Sequence, residues 1–573
     1  MSKSNKWPVI GTVLGETNIN EFSFTLKSHK ASKGDIVCTQ TKIPSDINEN
    51  KIIEVTVWGK ITSIDSFNQF FPREAAQELT NENINIADTI LPTTRDELIC
   101  NVNILGYTKN TDQKLKLKPL NYPVKPAAMV TYPSEKDLEK LLVSDLGAKF
   151  PILLGNLSTR KNVKIQIDAE KLAARHMLVT GMSGAGKTVA VRRIISEYMK
   201  LNYPLLVIDI HGDYLGFVQK QKKYFKDNKV KLFYPKLSVN SDDKEIVYTL
   251  IEKLGKKLTD PQNDYLDTLI SKNNYEGGDL SKYIEKLIIE SNKIYKMRST
   301  KTIDKTKSTY NQHKPASIYV VTRSLREVLK RLNKMEQTNY KHRKKMSDLK
   351  FEELPDPATE PEKIISKGQL SILYLKGYQS LPASAILSIL MESLFNIRQE
   401  INEEICPFLT IIEEAQNFVP SRSENKDNLP SVETIRRIIT EGRKFGTGIC
   451  LVSQQPDRLD DTIISQCNSH IYLRLKNQKA QKFCRDTSEY ADKEDTAQLP
   501  NLANGQAIIC GQVVNFSLPV QIKFDEELLN DDIQNENFIS MVENWDDNNT
   551  VKLRKKFAKD FSNISSSDQR RPN

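Results

Sequence analysis

The chain has 573 residues, of which 38% are apolar and 27% charged. That length exceeds what one hydrophobic core fills, so two or three domains are expected, and the composition excludes a wholly disordered chain and a membrane protein. Lys and Arg outnumber Asp and Glu by 83 to 73, a slight pointer to a polyanionic partner that a Lys-rich solvated surface explains equally well.

The opening MSKSNKWPVIGTVLGE lacks the apolar stretch of a secretory leader. Residues 1–150 read as an all-β domain, a small β-barrel or sandwich. Short runs at Trp7–Leu14, Glu21–Leu26, Asp35–Cys38, Ile52–Ile64 and Leu98–Leu105 are parted by turn formers such as Lys33-Gly34-Asp35. An acidic, Asn-rich stretch near 74–90 reads as a helix plus loop. From 151 to 525 the pattern becomes α/β. Buried strands are expected at Met177–Thr180, Leu205–Asp209, Val230–Phe233, Ser317–Val321, Leu370–Leu375, Phe408–Glu413, Gly448–Ser453 and His470–Leu475, with two more within Ala507–Phe524. Residues 240–365 read as a Lys-rich helical insertion with a polar segment at Ser299–Pro315. Residues 526–573 read as a C-terminal helix and a disordered basic tail carrying Lys552, Arg554, Lys555, Lys556 and Lys559.

No run approaches the roughly 18 apolar residues of a membrane-spanning helix, so no membrane is expected among the partners. Cys38, Cys100, Cys406, Cys450, Cys467, Cys484 and Cys510 form no CxxC pair, and several lie in apolar runs. They read as small buried hydrophobes of a reducing, cytoplasmic compartment.

Gly181-Met-Ser183-Gly184-Ala185-Gly186-Lys187-Thr188 matches G-x-x-x-x-G-K-[ST], with an apolar strand before it and an amphipathic helix from Val189 after it. Glycines let such a loop wrap a triphosphate with its N–H groups turned inward, and the helix start adds a favourable dipole. Lys187 reaches the β- and γ-phosphates of ATP and the Thr188 hydroxyl faces Mg²⁺.

Phe408-Leu-Thr-Ile-Ile-Glu413-Glu414 is an apolar strand ending in two acids. In P-loop enzymes the first holds the metal and the second polarises the attacking water. Here the first is Glu413, where Asp is usual. Strand alternation sends neighbouring side chains to opposite faces, so the two acids can share a site only if the strand has already turned. Gln454 follows the strand Gly448–Ser453 and can sense the γ-phosphate or its water; a loop residue making local bonds is the plainer reading. Asp209 closes another apolar strand, on the ligand edge of a parallel sheet, and could assist metal or water. Asp213 could cap the next helix. Arg443 has the bidentate chemistry of a trans-acting arginine finger, or caps a helix end. Arg422 and Lys426, in the polar loop after the acids, are the candidate DNA contacts, against the commoner reading of a solvated loop.

Taken together, Gly181–Thr188, Ile208-Asp-Ile-His-Gly-Asp-Tyr214, Ile412-Glu-Glu-Ala-Gln416, Glu441-Gly-Arg-Lys-Phe-Gly446, Ser453-Gln-Gln-Pro456, Ile464-Ser-Gln-Cys-Asn468 and Tyr472-Leu-Arg-Leu475 resemble the HerA branch of the HerA/FtsK ATPases. The resemblance implies a RecA-like P-loop core behind a small N-terminal barrel. It implies a homohexameric ring that uses ATP to translocate or unwind double-stranded DNA, with Arg443 acting on the neighbouring subunit's ATP. A partner nuclease or sirtuin-like effector, in DNA end processing or anti-phage defence, is implied as well. Arg175 matches a position that is often basic in the family, which implies a nucleotide role. Gln416 stands where many relatives have His. A ring that scaffolds and gates an effector without translocating is the other reading of the same fold.

Overall fold

The structure, a computed structural model, describes residues 7–27, 31–44, 52–67, 97–109, 115–224, 229–235, 238–239, 244–273, 278–299, 313–400, 405–424, 429–487 and 493–525. It contains two compact units, one formed by Met1–Lys200 with Gly448–Phe524 and the other built on Leu201–Thr447.

The first unit begins with a closed barrel. Its strands β1 (Val9–Thr17), β2 (Glu21–Leu26), β3 (Ile36–Pro44), β4 (Ile52–Phe67), β5 (Glu97–Lys109) and β6 (Met129–Thr131) follow the order β1-β2-β5-β4-β3-β6. In β2 the alternation is plain: Phe22, Phe24 and Leu26 are buried, with Ser23 and Thr25 between them. Closure leaves no strand edge open. Phe24, Val37, Val55, Val57, Val102 and Val130 are among the side chains that fill the interior. The expected helix and loop near 74–90 lie outside the described residues.

The all-β reading to residue 150 is corrected by one helix, Glu135–Leu146. Ser134 caps it by accepting a hydrogen bond from the Asp137 N–H, and Leu138, Leu141 and Leu142 form its buried face. A hairpin of Pro151–Leu157 and Arg160–Asp168 follows. Arg160, 4% exposed, ties that hairpin to the barrel. It donates to Asp35 Oδ1 at 3.2 Å and to the carbonyls of Pro133 and Ile36 at 2.7 Å each, with its guanidinium 3.7 Å from the Tyr132 ring centre.

The rest of this unit is a sheet ordered Thr447–Ser453, Met177–Thr180, Ser469–Leu473, Gln506–Gly511, Leu518–Ile522, Pro151–Leu157, Arg160–Asp168. The first three strands are parallel and completely buried, as expected when helices cover both faces.

The second unit has a parallel sheet ordered Phe351–Glu353, Lys229–Tyr234, Gln369–Tyr374, Leu205–Asp209, Phe408–Ile412. The insertion expected at 240–365 is largely helical: Lys244–Leu254, Asp260–Lys272, Leu280–Ser299 and Pro315–Lys345. Ser317–Val321, expected as a strand, lies inside the last of these. Pro315 occupies the first turn, where its missing N–H is harmless, and Ile318, Val321 and Leu325 recur with helical spacing on the buried face. Residues 300–312 and 526–573 lie outside the described residues, and with them the expected tail.

Among the described residues one helix, Ser380–Glu400, is long and apolar enough to cross a membrane, although no apolar run of that length was expected. It is largely buried against its own unit, with Ala385, Leu387, Leu390, Leu394 and Phe395 in the core. All seven cysteines are free thiols.

Arg160→Ala would strip the buried Asp35 of its cation and two carbonyls of their donor. A loss of about 3–5 kcal/mol is expected, seen as an earlier urea midpoint; an unchanged midpoint would contradict the assignment.

Candidate functional site

In the first unit the site is a backbone reversal. Strand Met177–Thr180 ends at Gly181 and the helix Lys187–Lys200 starts six residues on. The intervening loop is pinned at its base, where the Gly181 and Met182 N–H groups donate to the carbonyls of Ser453 (3.4 Å) and Arg474 (2.8 Å). Gly184 and Gly186 have φ of +74° and +105°, open to glycine and strained for other residues. A Cβ on Gly186 would also press on the Gly505 backbone at 3.3 Å. Ala185 and Lys187 are buried, Thr188 and Val189 half-buried, Ser183 and Gly184 exposed. The Lys187 ammonium lies back across the loop, 3.5 Å from the Met182 carbonyl. Gln454 does reach this loop: its Oε1 accepts from the Ser183 hydroxyl at 2.7 Å.

These features fit a triphosphate. The loop is a glycine-permitted curve at a helix start, where the first N–H groups have no partner within the helix, and a buried ammonium lies across it. Arg175 does not join it. That residue ends the short helix Ala169–Arg175, before the amino end of strand Met177–Thr180, whereas the loop leaves the carboxyl end. Arg175 lines a separate cavity of about 310 Å³ with Lys171, Gln512 and Asn515.

In the second unit the carboxyl ends of two adjacent parallel strands gather the acids. Asp209 is fully buried. Its Oδ1 accepts from the N–H groups of His211 (3.1 Å), Gly212 (2.7 Å) and Asp213 (3.2 Å), and its Oδ2 from Tyr214 (3.1 Å). Burial pushes its pKa up while the Gly212 and Tyr214 N–H groups pull it back. Asp209 therefore shapes the turn after its strand. That turn delivers Tyr214, also fully buried, whose hydroxyl donates to Glu413 Oε1.

Strand Phe408–Ile412 stops before the two acids. Glu414 adopts φ +45° and ψ +54°, a left-handed conformation uncommon outside glycine. The turn releases the pair from strand alternation, the condition for the two acids to share a site. Glu413 is 3% and Glu414 5% exposed. Gln416 Nε2 donates to Glu414 Oε2 at 2.5 Å, and His211 Nε2 lies 3.9 Å from Oε1. Burial raises the Glu413 pKa from its ordinary 4.5 to about 8; the Tyr214 hydroxyl opposes the shift, and Asp213, Asp209 and Glu414 add to it. Such an acid suits a cation, which favours the charged form. Within this unit Glu413 is the residue that would hold Mg²⁺.

The remaining candidates stand apart. Arg443 is exposed on the turn Gly442–Phe445. The Gly446 carbonyl accepts from the Phe408 N–H at 3.0 Å, so this turn borders the amino end of the strand whose other end bears the acids. Arg398 fixes the same corner by donating to the carbonyls of Phe445 (2.8 Å) and Ile405 (2.7 Å). Arg422 is exposed in a turn, and Lys426 lies outside the described residues. Tyr214, Gln416 and His211 were not singled out by sequence reasoning for these contacts. The usable signal was the five-residue spacing from Asp209 to Tyr214 after a buried strand.

Between about pH 4.5 and 8 the metal-free folded chain holds a proton on Glu413 that the unfolded chain has lost, so stability falls as pH rises through that window. Glu413→Gln should melt above wild type at pH 8 in chelator, with the gap closing toward pH 5. A gap independent of pH would contradict the shift.

Residues 152–394 match the family model described as "Helicase HerA, central domain". A probable helicase of Methanocaldococcus jannaschii is 27% identical over 95% of this chain and 96% of its own length. The DNA double-strand break repair helicase HerA of Pyrococcus furiosus is 25% identical over 91% and 93%. Among solved structures, the plasmid coupling protein TrwB with a non-hydrolysable ATP analogue has 15% identity and a TM-score of 0.41, covering 65% of this chain and 89% of TrwB. Residues 152–394 thus resemble a HerA helicase central domain, and the chain is similar over most of its length to proteins named as helicases.

Proposed function

We propose that this chain is an ATP-driven motor that translocates or unwinds double-stranded DNA as a homohexameric ring. The observation that carries the proposal is the preparation of both chemical requirements of phosphoryl transfer: a glycine-permitted loop with Lys187 across it, and an acid pair freed from strand alternation by the left-handed turn at Glu414. Relatives named as DNA repair helicases, aligned over most of the chain, support DNA as the polymer acted on.

The loop N–H groups and Lys187 bind the phosphates of ATP. Thr188 and Glu413 would hold Mg²⁺, whose charge would offset that of the phosphate oxygens. Glu414, oriented by Gln416, accepts the proton of the attacking water. Gln454, bonded to Ser183, reports the state of the loop. Arg443 borders the end of the catalytic strand opposite the acids, so its finger role is exerted on the nucleotide of a neighbouring copy. Arg175, set apart from its own loop, keeps the nucleotide role that the family resemblance implies. A partner nuclease or sirtuin-like effector docks on the ring, and the setting is DNA end processing or anti-phage defence in the cytoplasm. Arg422 and Lys426 contact DNA from the loop after the acids.

Glu414→Gln should bind ATP as wild type does and lose at least about 10²-fold in turnover; turnover within a few-fold of wild type would remove Glu414 from the mechanism. Lys187→Ala should weaken nucleotide binding. Arg443→Ala should fail alone yet regain turnover when mixed with Lys187→Ala, because one copy supplies the finger and the other the loop. No complementation in mixed rings would contradict a site shared between copies. For motor function, ATP-dependent displacement of a protein block from the end of duplex DNA is expected. Turnover that ignores DNA and responds only to a partner protein would establish the scaffold instead.

A further inference from the structure

The insertion helix Pro315–Lys345 has 31 residues and one distinctly cationic face. With about 100° of rotation per residue, Arg323, Arg326, Lys330, Lys334, Lys341 and Lys345 fall within an arc of about 100°, and all are exposed. Over the roughly 33 Å from Arg323 to Lys345, the one acid on that arc is Glu327, at its border and 3.5 Å from Lys256. Glu336, an acid farther along the helix, lies on the opposite side, paired with Arg343 at 3.0 Å. Among the described residues, Arg323, Lys330, Lys334, Lys341 and Lys345 take part in no ion pair.

The segregation is more than composition. A solvated helix ordinarily interleaves acids four residues before its cations and so neutralises itself; this face does not. The positive field is also concentrated at one end. Lys345, Lys376 and Lys341 surround His342, whose pKa falls to about 4, through burial first and these cations second. Lys376 follows Leu375, whose N–H donates to the Asp209 carbonyl at 2.8 Å, and His342 packs edge-on against Tyr374. The stripe therefore begins on the outer insertion and ends beside the strand edge that carries the acids.

We infer that the outward face of helix Pro315–Lys345 is a docking surface for the phosphate backbone of double-stranded DNA, read without base specificity. Its length, about 33 Å, matches about one turn of duplex. Long flexible cations in a row suit a polyanion of regular charge, where each phosphate engaged releases condensed counterions. The inference rests on the reading of duplex DNA as the polymer acted on, and adds a surface to it.

The test compares the full-length chain with a variant carrying Arg323→Gln, Lys330→Gln, Lys334→Gln and Lys341→Gln, binding a labelled random-sequence duplex by fluorescence anisotropy between about 50 and 200 mM salt. The slope of log affinity against log salt should become shallower by about 3 to 4, and affinity near 0.1 M salt should fall by at least about tenfold. ATP turnover without DNA and thermal melting should stay as in wild type. A companion with Lys330→Arg, Lys334→Arg and Lys341→Arg should keep the wild-type slope, which separates charge from damaged packing. An unchanged slope and affinity in the Gln variant overturns the inference while leaving duplex DNA as the polymer acted on. A wild-type chain that binds no duplex overturns both. Loss of binding to polyglutamate with DNA binding intact identifies an acidic protein as the occupant and overturns the inference as well.

Discussion

A carboxylate taken out of water needs hydrogen-bond donors or a cation, and the second unit is organised around that need. Asp209 meets it with four backbone N–H groups, and in doing so determines the course of the chain from His211 to Tyr214. The turn brings the Tyr214 hydroxyl to Glu413. Glu413 obtains the Tyr214 hydroxyl as donor, and burial keeps it protonated into the neutral range. Glu414 is held by Gln416, with an exposed His211 at its margin. Removing Asp209 would thus reach Glu413 at two removes, through the turn it holds and through Tyr214.

The phosphate loop solves the complementary problem. A triphosphate calls for inward N–H groups, and backbone can present them only by leaving ordinary conformations. The glycines at 184 and 186 make that possible, and the hydrogen bonds of Gly181 and Met182 fix where the loop begins. Elsewhere in this unit, buried β-strands and the Arg160 cluster make a rigid frame. Rigidity matters here because an N–H array contributes most when it is already in position before the ligand arrives.

Much of the molecule was legible in the sequence wherever a local rule had no competitor. The P-loop was readable because strand, glycines and helix occur together within a short window. The strand Phe408–Ile412 was readable as an unbroken apolar run. Reading failed where local and longer signals disagreed. Ile318-Tyr-Val-Val321 looks like a strand on its own, yet Pro315 before it and Leu325, Val328 and Leu332 after it continue a helical stripe. The helix Glu135–Leu146 was hidden among strands although Ser134 and Asp137 form a readable cap. The reversal at Glu414 could be posed as a condition from strand alternation, but the left-handed turn that meets it is a backbone event with no glycine to announce it. Tyr214 was quoted only as part of a motif; its contact with Glu413 depends on the pairing of Leu205–Asp209 with Phe408–Ile412, which sequence spacing does not encode.

The account stands on one chemical event, the attack of water on bound ATP prepared by Glu414 and fed by the loop at Lys187. Phosphate release by the purified full-length chain, measured with Mg²⁺ and ATP in the presence and absence of duplex DNA, tests it most directly. The expected result is turnover that rises when duplex is added and disappears when Mg²⁺ is chelated. No phosphate release under any of these conditions, from a folded and assembled sample, would contradict it.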